Sequence, residues 1–253
     1  MNDIIVERSE NMLSIQLNRP AKKNAMTSAM YITIADLLDS VTHDDRIHVV
    51  LWYGAGDSFS AGNDLEDFMK NPPAAGQSPQ ARLIQALINF EKPLIAAVQG
   101  VAIGGGTTML AHCDLVYAAE NARFQLPFVN LGLVPEFGSS FLLPLRFGHA
   151  RAAELILLAK PFDAARAAEL GLVTQVVPGE KLLATATEAA KALAGKPAAA
   201  IQASKRLIKQ AFREQLEHAV KLESEEFAVR VRSDEAKEVF QAFFAKHKAA
   251  SAA

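Results

Sequence analysis

Apolar and polar residues alternate near the start of the chain. Leu13-Ser14-Ile15-Gln16-Leu17 has a period of two, and Ile4-Ile5-Val6-Glu7-Arg8 precedes it across the polar Ser9-Glu10-Asn11. The pair reads as a half-buried β-hairpin. Thr27 is placed to cap a helix in which Met30, Ile34, Leu37, Leu38 and Val41 recur at helical spacing. Ile47-His48-Val49-Val50-Leu51-Trp52-Tyr53 is a nearly unbroken apolar run stopped by Gly54 and Gly56, as in a strand buried on both faces. The rhythm then repeats: a helix over 81–88, a strand over 94–98 after Pro93, the turn Gly104-Gly105-Gly106, a short helix over 107–112 and a strand over 115–117. This alternation predicts an α/β layer fold.

From about Phe141 the character changes. Helices are expected over 151–159, 164–170, 181–193, 197–217 and 234–246. One strand-like stretch, 173–177, stands among them with no strand partner in the tail. No Gly/Ser-rich or Pro-rich linker separates the halves, so a single domain is expected, with a core over 1–195 and a helical region over 196–253. Pro72-Pro73-Ala74-Ala75-Gly76 is the expected mobile loop. No internal repeat has a fixed period.

Composition narrows the class. Of the 253 residues, 50% are hydrophobic and 21% charged, which is globular rather than disordered. Lys and Arg number 26 against 28 Asp and Glu, and the net charge of −2 offers nucleic acid no overall attraction. The lone Cys113 has no disulfide partner in the chain and suits a reducing compartment. Met1-Asn2-Asp3-Ile4 lacks a signal-peptide pattern, and no stretch reaches the ~18 apolar residues of a membrane span. A cytoplasmic protein without membrane or nucleic-acid partners is expected.

The six histidines show no metal-ligand spacing, so no metal site is expected. His112-Cys113-Asp114 reads as packing. Lys221-Leu222-Glu223-Ser224-Glu225-Glu226 reads as a solvated helix face, and Phe240, Phe243 and Phe244 as packing or subunit contacts. Lys205, Arg206, Lys209 and Arg213 form a basic helical stripe too interleaved with acids to bind a phosphate backbone.

Three stretches can carry chemistry. Gly104-Gly105-Gly106 joins a buried strand to a short helix, either as an N–H pocket for a negatively charged oxygen or as a tight turn. Ser60-Ala61-Gly62-Asn63-Asp64-Leu65 is a second small-residue turn that either offers the Asn63 N–H or makes an ordinary Asx turn. Leu133-Val134-Pro135-Glu136-Phe137-Gly138 sets one carboxylate among apolar residues. It is either a general base with a raised pKa or a surface Glu favouring a helix N-terminus.

These turns, in this order, resemble the crotonase (enoyl-CoA hydratase/isomerase) superfamily. The likeness runs from Asn18-Arg19-Pro20 through Ala61-Gly62-Asn63-Asp64-Leu65, Gly104-Gly105-Gly106 and Leu131-Gly132-Leu133-Val134-Pro135 into Phe147-Gly148 and the 165–172 helix. The resemblance implies a spiral of ββα turns, a C-terminal helical region that mediates trimerisation, and a homotrimer or dimer of trimers. It also implies an acyl-CoA thioester substrate, with CoA entering as part of that substrate and no separate cofactor. The thioester oxygen would be held by the backbone N–H groups of Asn63 and Gly105. Ala61, Gly62, Asp64 and Leu65 would line the substrate site.

The two glutamates of family hydratases fall on positions that look like Thr108 and Phe128, which argues against hydration. Pro135-Glu136-Phe137-Gly138-Ser139-Ser140 is similar instead to the peroxisomal-type delta(3),delta(2)-enoyl-CoA isomerases, and makes Glu136 the catalytic residue. Phe128, Leu131 and Phe137 are expected walls that keep water out. Lys22 and Lys23 either meet CoA phosphates or are solvated, and the resemblance carries Phe243 and Lys246 to a neighbour's CoA. If only the Asn63 N–H is used, replacing its side chain is expected to matter little. Activity on another unsaturated or ring-containing acyl-CoA, or CoA-thioester binding without turnover, are the competing readings.

Overall fold

The computed structural model describes residues 2–71 and 74–251, with the side chains of 243, 244 and 246–251 excepted. Pro72 and Pro73 of the expected mobile loop, and the side chains of Phe243, Phe244 and Lys246, lie outside the described residues.

The hairpin forms as β1 (Ile4–Ser9) against β2 (Met12–Leu17), antiparallel. β2 then pairs in parallel with β3 (Val49–Gly54), which pairs with β4 (Leu94–Val98), β6 (Leu115–Ala119) and β9 (Gln175–Val177) in succession. In β3 the residues from Val49 to Trp52 are buried, as the unbroken apolar run requires. Their bulk is matched by small neighbours: Trp52 stands opposite Ala96, and Tyr53 opposite Ala97.

A second, shorter sheet runs β5 (Val101–Ile103), β7 (Arg123–Gln125), β8 (Phe162–Asp163). Each turn of chain lays one strand in the large sheet and the next in the small one, β4 then β5, β6 then β7. The result is the ββα spiral that the resemblance implied. Isolated bridges Ser60↔Ala102 and Met26↔Asn63 carry the second wall back through the earlier turns.

Helices close both faces. α1 (Ser28–Thr42) starts at Thr27, whose hydroxyl accepts the Met30 N–H at 3.3 Å. α2 (Leu65–Lys70) is capped by Asp64, and α3 (Pro79–Asn89) by Ser78 with Pro79 in its first turn. These helices share one core with Leu13, Ile15, Val50, Trp52 and Ala96. α8 (Leu182–Ala194) covers the other face of the sheet through Leu182, Ala186 and Ala190 on Val49, Leu51 and Ile95. Between them come α4 (Gly105–Thr108), α5 (Ser139–Phe147), α6 (His149–Leu158) and α7 (Ala164–Glu169).

The second half differs from expectation in two ways. The stretch 173–177 does have a partner: its strand β9 joins the edge of the large sheet beside β6, and β8 joins the small one. The helix expected over 197–217 is broken into α9 (Ala198–Gln210) and α10 (Arg213–Arg230) at Phe212, whose φ of −136° leaves the helical region while its ring packs on Phe141. α10 and α11 (Asp234–Ser251) fold back on the same chain. Phe227 and Phe240 both pack against Phe68, with ring centroids 6.0 and 6.2 Å away. Among the described residues no helix is long and apolar enough to cross a membrane.

Candidate active site

The Asn63 turn is an interrupted strand. Met26 binds both the Gly62 carbonyl, as donor at 2.7 Å, and the Asp64 N–H, as acceptor at 2.9 Å. The peptide N–H of Asn63 between them therefore faces the opposite way. There the neighbouring chain would continue the ladder, since Ile103 N–H donates to Ser60 at 3.0 Å, but Gly104 at φ +56° turns it into α4. Gly62 needs its glycine for this approach: its φ is +84°, and a Cβ on it would stand 2.5 Å from the Ile103 carbonyl oxygen and 3.6 Å from the Gly105 nitrogen. Gly105 opens α4, where no helical acceptor exists for its N–H. Two backbone donors thus face one space, and no hydrogen bond from either is formed to another described residue.

That space is a cavity of about 850 Å³. Lys22, Ala61, Gly62, Asn63, Asp64, Leu65, Gly105, Phe128, Leu131 and Glu136 all lie on its wall. Glu136 is its one buried carboxyl among the described residues, 7% exposed. A Cβ on Gly105 would lie 3.0 Å from Glu136 Oε1, so the carboxyl and the two donors converge. Burial, and secondarily the charge of Glu223, push the Glu136 carboxyl from 4.5 up to about 8, against a small opposing hydrogen bond from Asn63. The surface reading of Glu136 is thereby excluded.

Glu136 is aimed by an unusual turn. Phe137 and Gly138 have φ of +63° and +68°, two left-handed residues in succession, and the first is not glycine. Such a conformation costs ~1–3 kcal/mol and needs support. His112 supplies part of it: its Nε2–H donates to the Phe137 carbonyl at 2.7 Å, and burial holds the ring neutral, its pKa lowered to about 3. Glu223 on α10 supplies the rest, accepting the N–H groups of Gly138 and Ser140, both at 2.7 Å.

Several expectations are corrected by this arrangement. Phe137 is fully buried and lies behind the cavity rather than on its wall, its ring between Tyr31 and His112 at centroid distances of 6.4 and 6.3 Å. Lys23 is exposed and off the wall. Its backbone does the work, closing the 20–22 turn and accepting the Ala61 N–H at 2.8 Å. The segment 221–226 is not wholly solvated, because Glu223 is buried. Lys205 of the basic stripe is buried too, bound to Asp114 and the Lys92 carbonyl at 2.7 Å each. The Asn63 side chain is engaged as well: Oδ1 accepts from Tyr31 Oη at 2.8 Å and Gln80 Nε2 at 3.2 Å, and Nδ2 reaches Glu136 Oε1 at 3.4 Å.

The sequence reading missed Tyr31, Gln80 and Glu223 as parts of the site. For Glu223 a signal existed, since Leu216, Glu223 and Phe227 fall on one helical face. Thr108 and Phe128, the two positions set against the hydratase glutamates, differ in place. Phe128 is on the cavity wall, and Thr108 is buried with its hydroxyl turned back on the Gly104 carbonyl at 3.3 Å. Among the described residues no group of three or more His, Cys, Asp or Glu is placed to hold a metal ion.

Comparison with known proteins agrees with this geometry. The sequence profile of the family Enoyl-CoA hydratase/isomerase matches residues 7–251. The 1,2-epoxyphenylacetyl-CoA isomerase of Escherichia coli K12 is 36% identical over 97% of both chains. Human enoyl-CoA delta isomerase 2 is 38% identical over 87% of this chain, which matches 57% of that longer protein. Hydratases also occur among the relatives. The solved structure of Pseudomonas aeruginosa OdaA matches with a TM-score of 0.93 at 45% identity, over 96% of this chain and 99% of that one. With the spiral fold, the paired N–H turns and a profile match over nearly its whole length, the chain belongs to the enoyl-CoA hydratase/isomerase (crotonase) family of CoA-thioester enzymes.

Proposed function

We propose that the protein is an acyl-CoA double-bond isomerase that moves a 3-enoyl-CoA double bond into conjugation at C2, with Glu136 as sole acid–base. The observation that carries this reading is that, among the described residues, one buried carboxyl stands on the cavity wall beside two backbone donors that no other group engages. A 1,3-proton shift requires one group that removes the proton at C2 and returns it at C4, so one carboxylate suffices. Removal of the C2 proton leaves a dienolate whose charge sits on the thioester oxygen. The N–H groups of Asn63 and Gly105 receive it, each donor worth ~3–4 kcal/mol in a site of this kind. Hydration needs a second carboxyl to activate or protonate water. The other buried one nearby, Glu223, is engaged by two backbone N–H groups.

A second reading has its own support: the full-length relative that acts on 1,2-epoxyphenylacetyl-CoA, a ring-bearing acyl group. The same base and oxyanion donors would serve an isomerisation of a ring-containing or more unsaturated acyl-CoA. Assembly through the 196–253 helices into a trimer or dimer of trimers belongs to the proposal and is read by sedimentation.

The test is to follow the ultraviolet absorbance of the conjugated thioester when purified protein meets a trans-3-enoyl-CoA, with Glu136→Gln alongside. Turnover lost in the variant supports the assignment. Turnover retained in the variant refutes Glu136, and turnover only with ring-containing thioesters moves the assignment to the second reading.

A further inference from the structure

Behind Glu136 lies a second cavity, of about 710 Å³, between α3, the 74–78 segment and α10. Glu136 and Phe227 are on the walls of both cavities, and Glu223 is on the wall of the second alone. Glu223 is 8% exposed and comes from the C-terminal helical region, 85 residues beyond Gly138 of the turn it binds. Its two oxygens take separate N–H groups, Oε2 from Gly138 and Oε1 from Ser140. The carboxyl thus spans the start of α5, and the residues it holds are the second left-handed residue of the turn and the first turn of the helix.

We propose that Glu223 is the positioning residue of the catalytic turn: its carboxylate holds Gly138 and Ser140 so that Glu136 faces the substrate cavity, and from the wall it shares with Glu136 it places its charge next to that group. The inference rests on the reading of Glu136 as the base. Burial is the larger cause of the raised Glu136 value and the Glu223 charge the second, while Glu223 itself is raised to about 7 by burial. The other titratable groups around the pair are accounted for. Arg82 on α3 is bound to Asp36 and Asp39, and Glu217 and Lys221 on α10 pair with Arg213 and Glu225 at 2.9 and 4.0 Å. Tyr31 on α1 has its pKa raised well above the ordinary value by burial, and His112 is neutral. On the substrate-cavity side Asp64 is paired with Arg19 at 2.9 Å, and Lys22 and Glu66 are exposed to solvent. Glu223 is therefore the buried charge next to Glu136 among the described residues.

The experiment titrates Glu136 directly, by carbon NMR of protein labelled at the glutamate carboxyl and assigned through the signal lost in Glu136→Gln. It compares wild type with Glu223→Gln and Glu223→Asp, alongside kcat and KM for the 3-enoyl-CoA. Glu223→Gln removes the charge and should lower the Glu136 titration point by about 0.5–1 unit. It should also cut kcat by on the order of 10-fold with KM little changed, because a misaimed base loses rate and not binding. Glu223→Asp keeps the charge on a shorter arm. It should leave the titration point high while kcat falls, and it decides the matter if the Gln variant does not fold. A titration point that stays put in Glu223→Gln, or kcat unchanged in both variants, overturns the proposal. Absence of turnover in the wild type would count against the isomerase reading alone, since the titration still decides whether Glu223 tunes Glu136.

Discussion

Replacing Glu136 with Gln should abolish turnover and at the same time make the folded protein more stable, increasingly so as the pH rises. In the unfolded chain this carboxyl ionises near 4.5, whereas in the fold burial and the neighbouring Glu223 hold it protonated to about 8. Between those values the folded state binds a proton that the unfolded state has released. Stability from this group is therefore complete below about 4.5 and is lost as pH rises towards 8. At pH 7 the gap of 2.5 units above 4.5, at 1.36 kcal/mol each, makes a penalty of about 3 kcal/mol. Gln carries none of it, and its Oε1 can still accept from Asn63, but its amide N–H₂ needs partners, at a cost of about 1 kcal/mol. The net gain is then about 2 kcal/mol near pH 7 and close to zero near pH 5, and for a chain of this size 2 kcal/mol is roughly 4–8 °C in Tm. Glu223 is raised with the same sign but is present in both proteins, so the difference isolates Glu136. Paired thermal melts from about pH 5 to 8.5, at matched protein concentration, measure it. A Tm difference that does not change with pH, or a variant less stable than wild type at pH 8, would refute the account of Glu136 as a desolvated, protonated carboxyl.

Three further outcomes follow from the same geometry. In the free enzyme the base must be ionised to act, so kcat/KM for the 3-enoyl-CoA should rise with pH and level off above about 8, and a profile flat from pH 6 to 9 would contradict the raised carboxyl. Gly105→Ala puts a methyl group 3.0 Å from Glu136 Oε1 and 3.3 Å from Tyr31 Oη, so kcat should fall by on the order of 10²-fold while circular dichroism stays native. Asn63→Ala retains the N–H but removes the amide that joins Tyr31, Gln80 and Glu136, and steady-state kinetics should show kcat reduced ~10-fold with KM within a factor of two.

The parts of the fold that could be read from the sequence are those whose signal is local. The period-two hairpin, the Thr27 cap and the apolar run of β3 each specify an element through neighbours within a few residues, and each is where its pattern put it. The strands β5, β7 and β8 have three, three and two residues, too short for a period to show, and they exist because the spiral lays them against one another. The break at Phe212 was hidden for a related reason. After Pro197 the stretch to Glu217 is made mostly of good helix formers with no Gly or Pro to stop it, and Phe212, where the helix breaks, packs on Phe141.

The site divides along the same line. The small-residue turns at Asn63 and Gly105 and the carboxyl of Glu136 among Leu133, Val134 and Phe137 could be singled out from residue type, each beside a plainer alternative, and it was the family resemblance that chose between them. The groups that make them work together come from afar: Tyr31 from α1, Gln80 from α3, His112 from the turn after α4 and Glu223 from α10. For Tyr31, Gln80 and His112 no adjacent residue betrays the role, and the Lys221–Glu226 segment disguises Glu223 as one charge in a hydrophilic run unless its helical face is read with Leu216 and Phe227. Burial is what separates it from Glu225 and Glu226, and that burial exists only because Leu216 and Phe227 carry its face of the helix into the core. Through Glu223, α10 thus holds the turn that carries Glu136 within its own chain. Removing α10 would expose Phe68, free the Gly138–Ser140 backbone and let water reach Glu136, whose pKa would then fall towards that of an ordinary carboxylate.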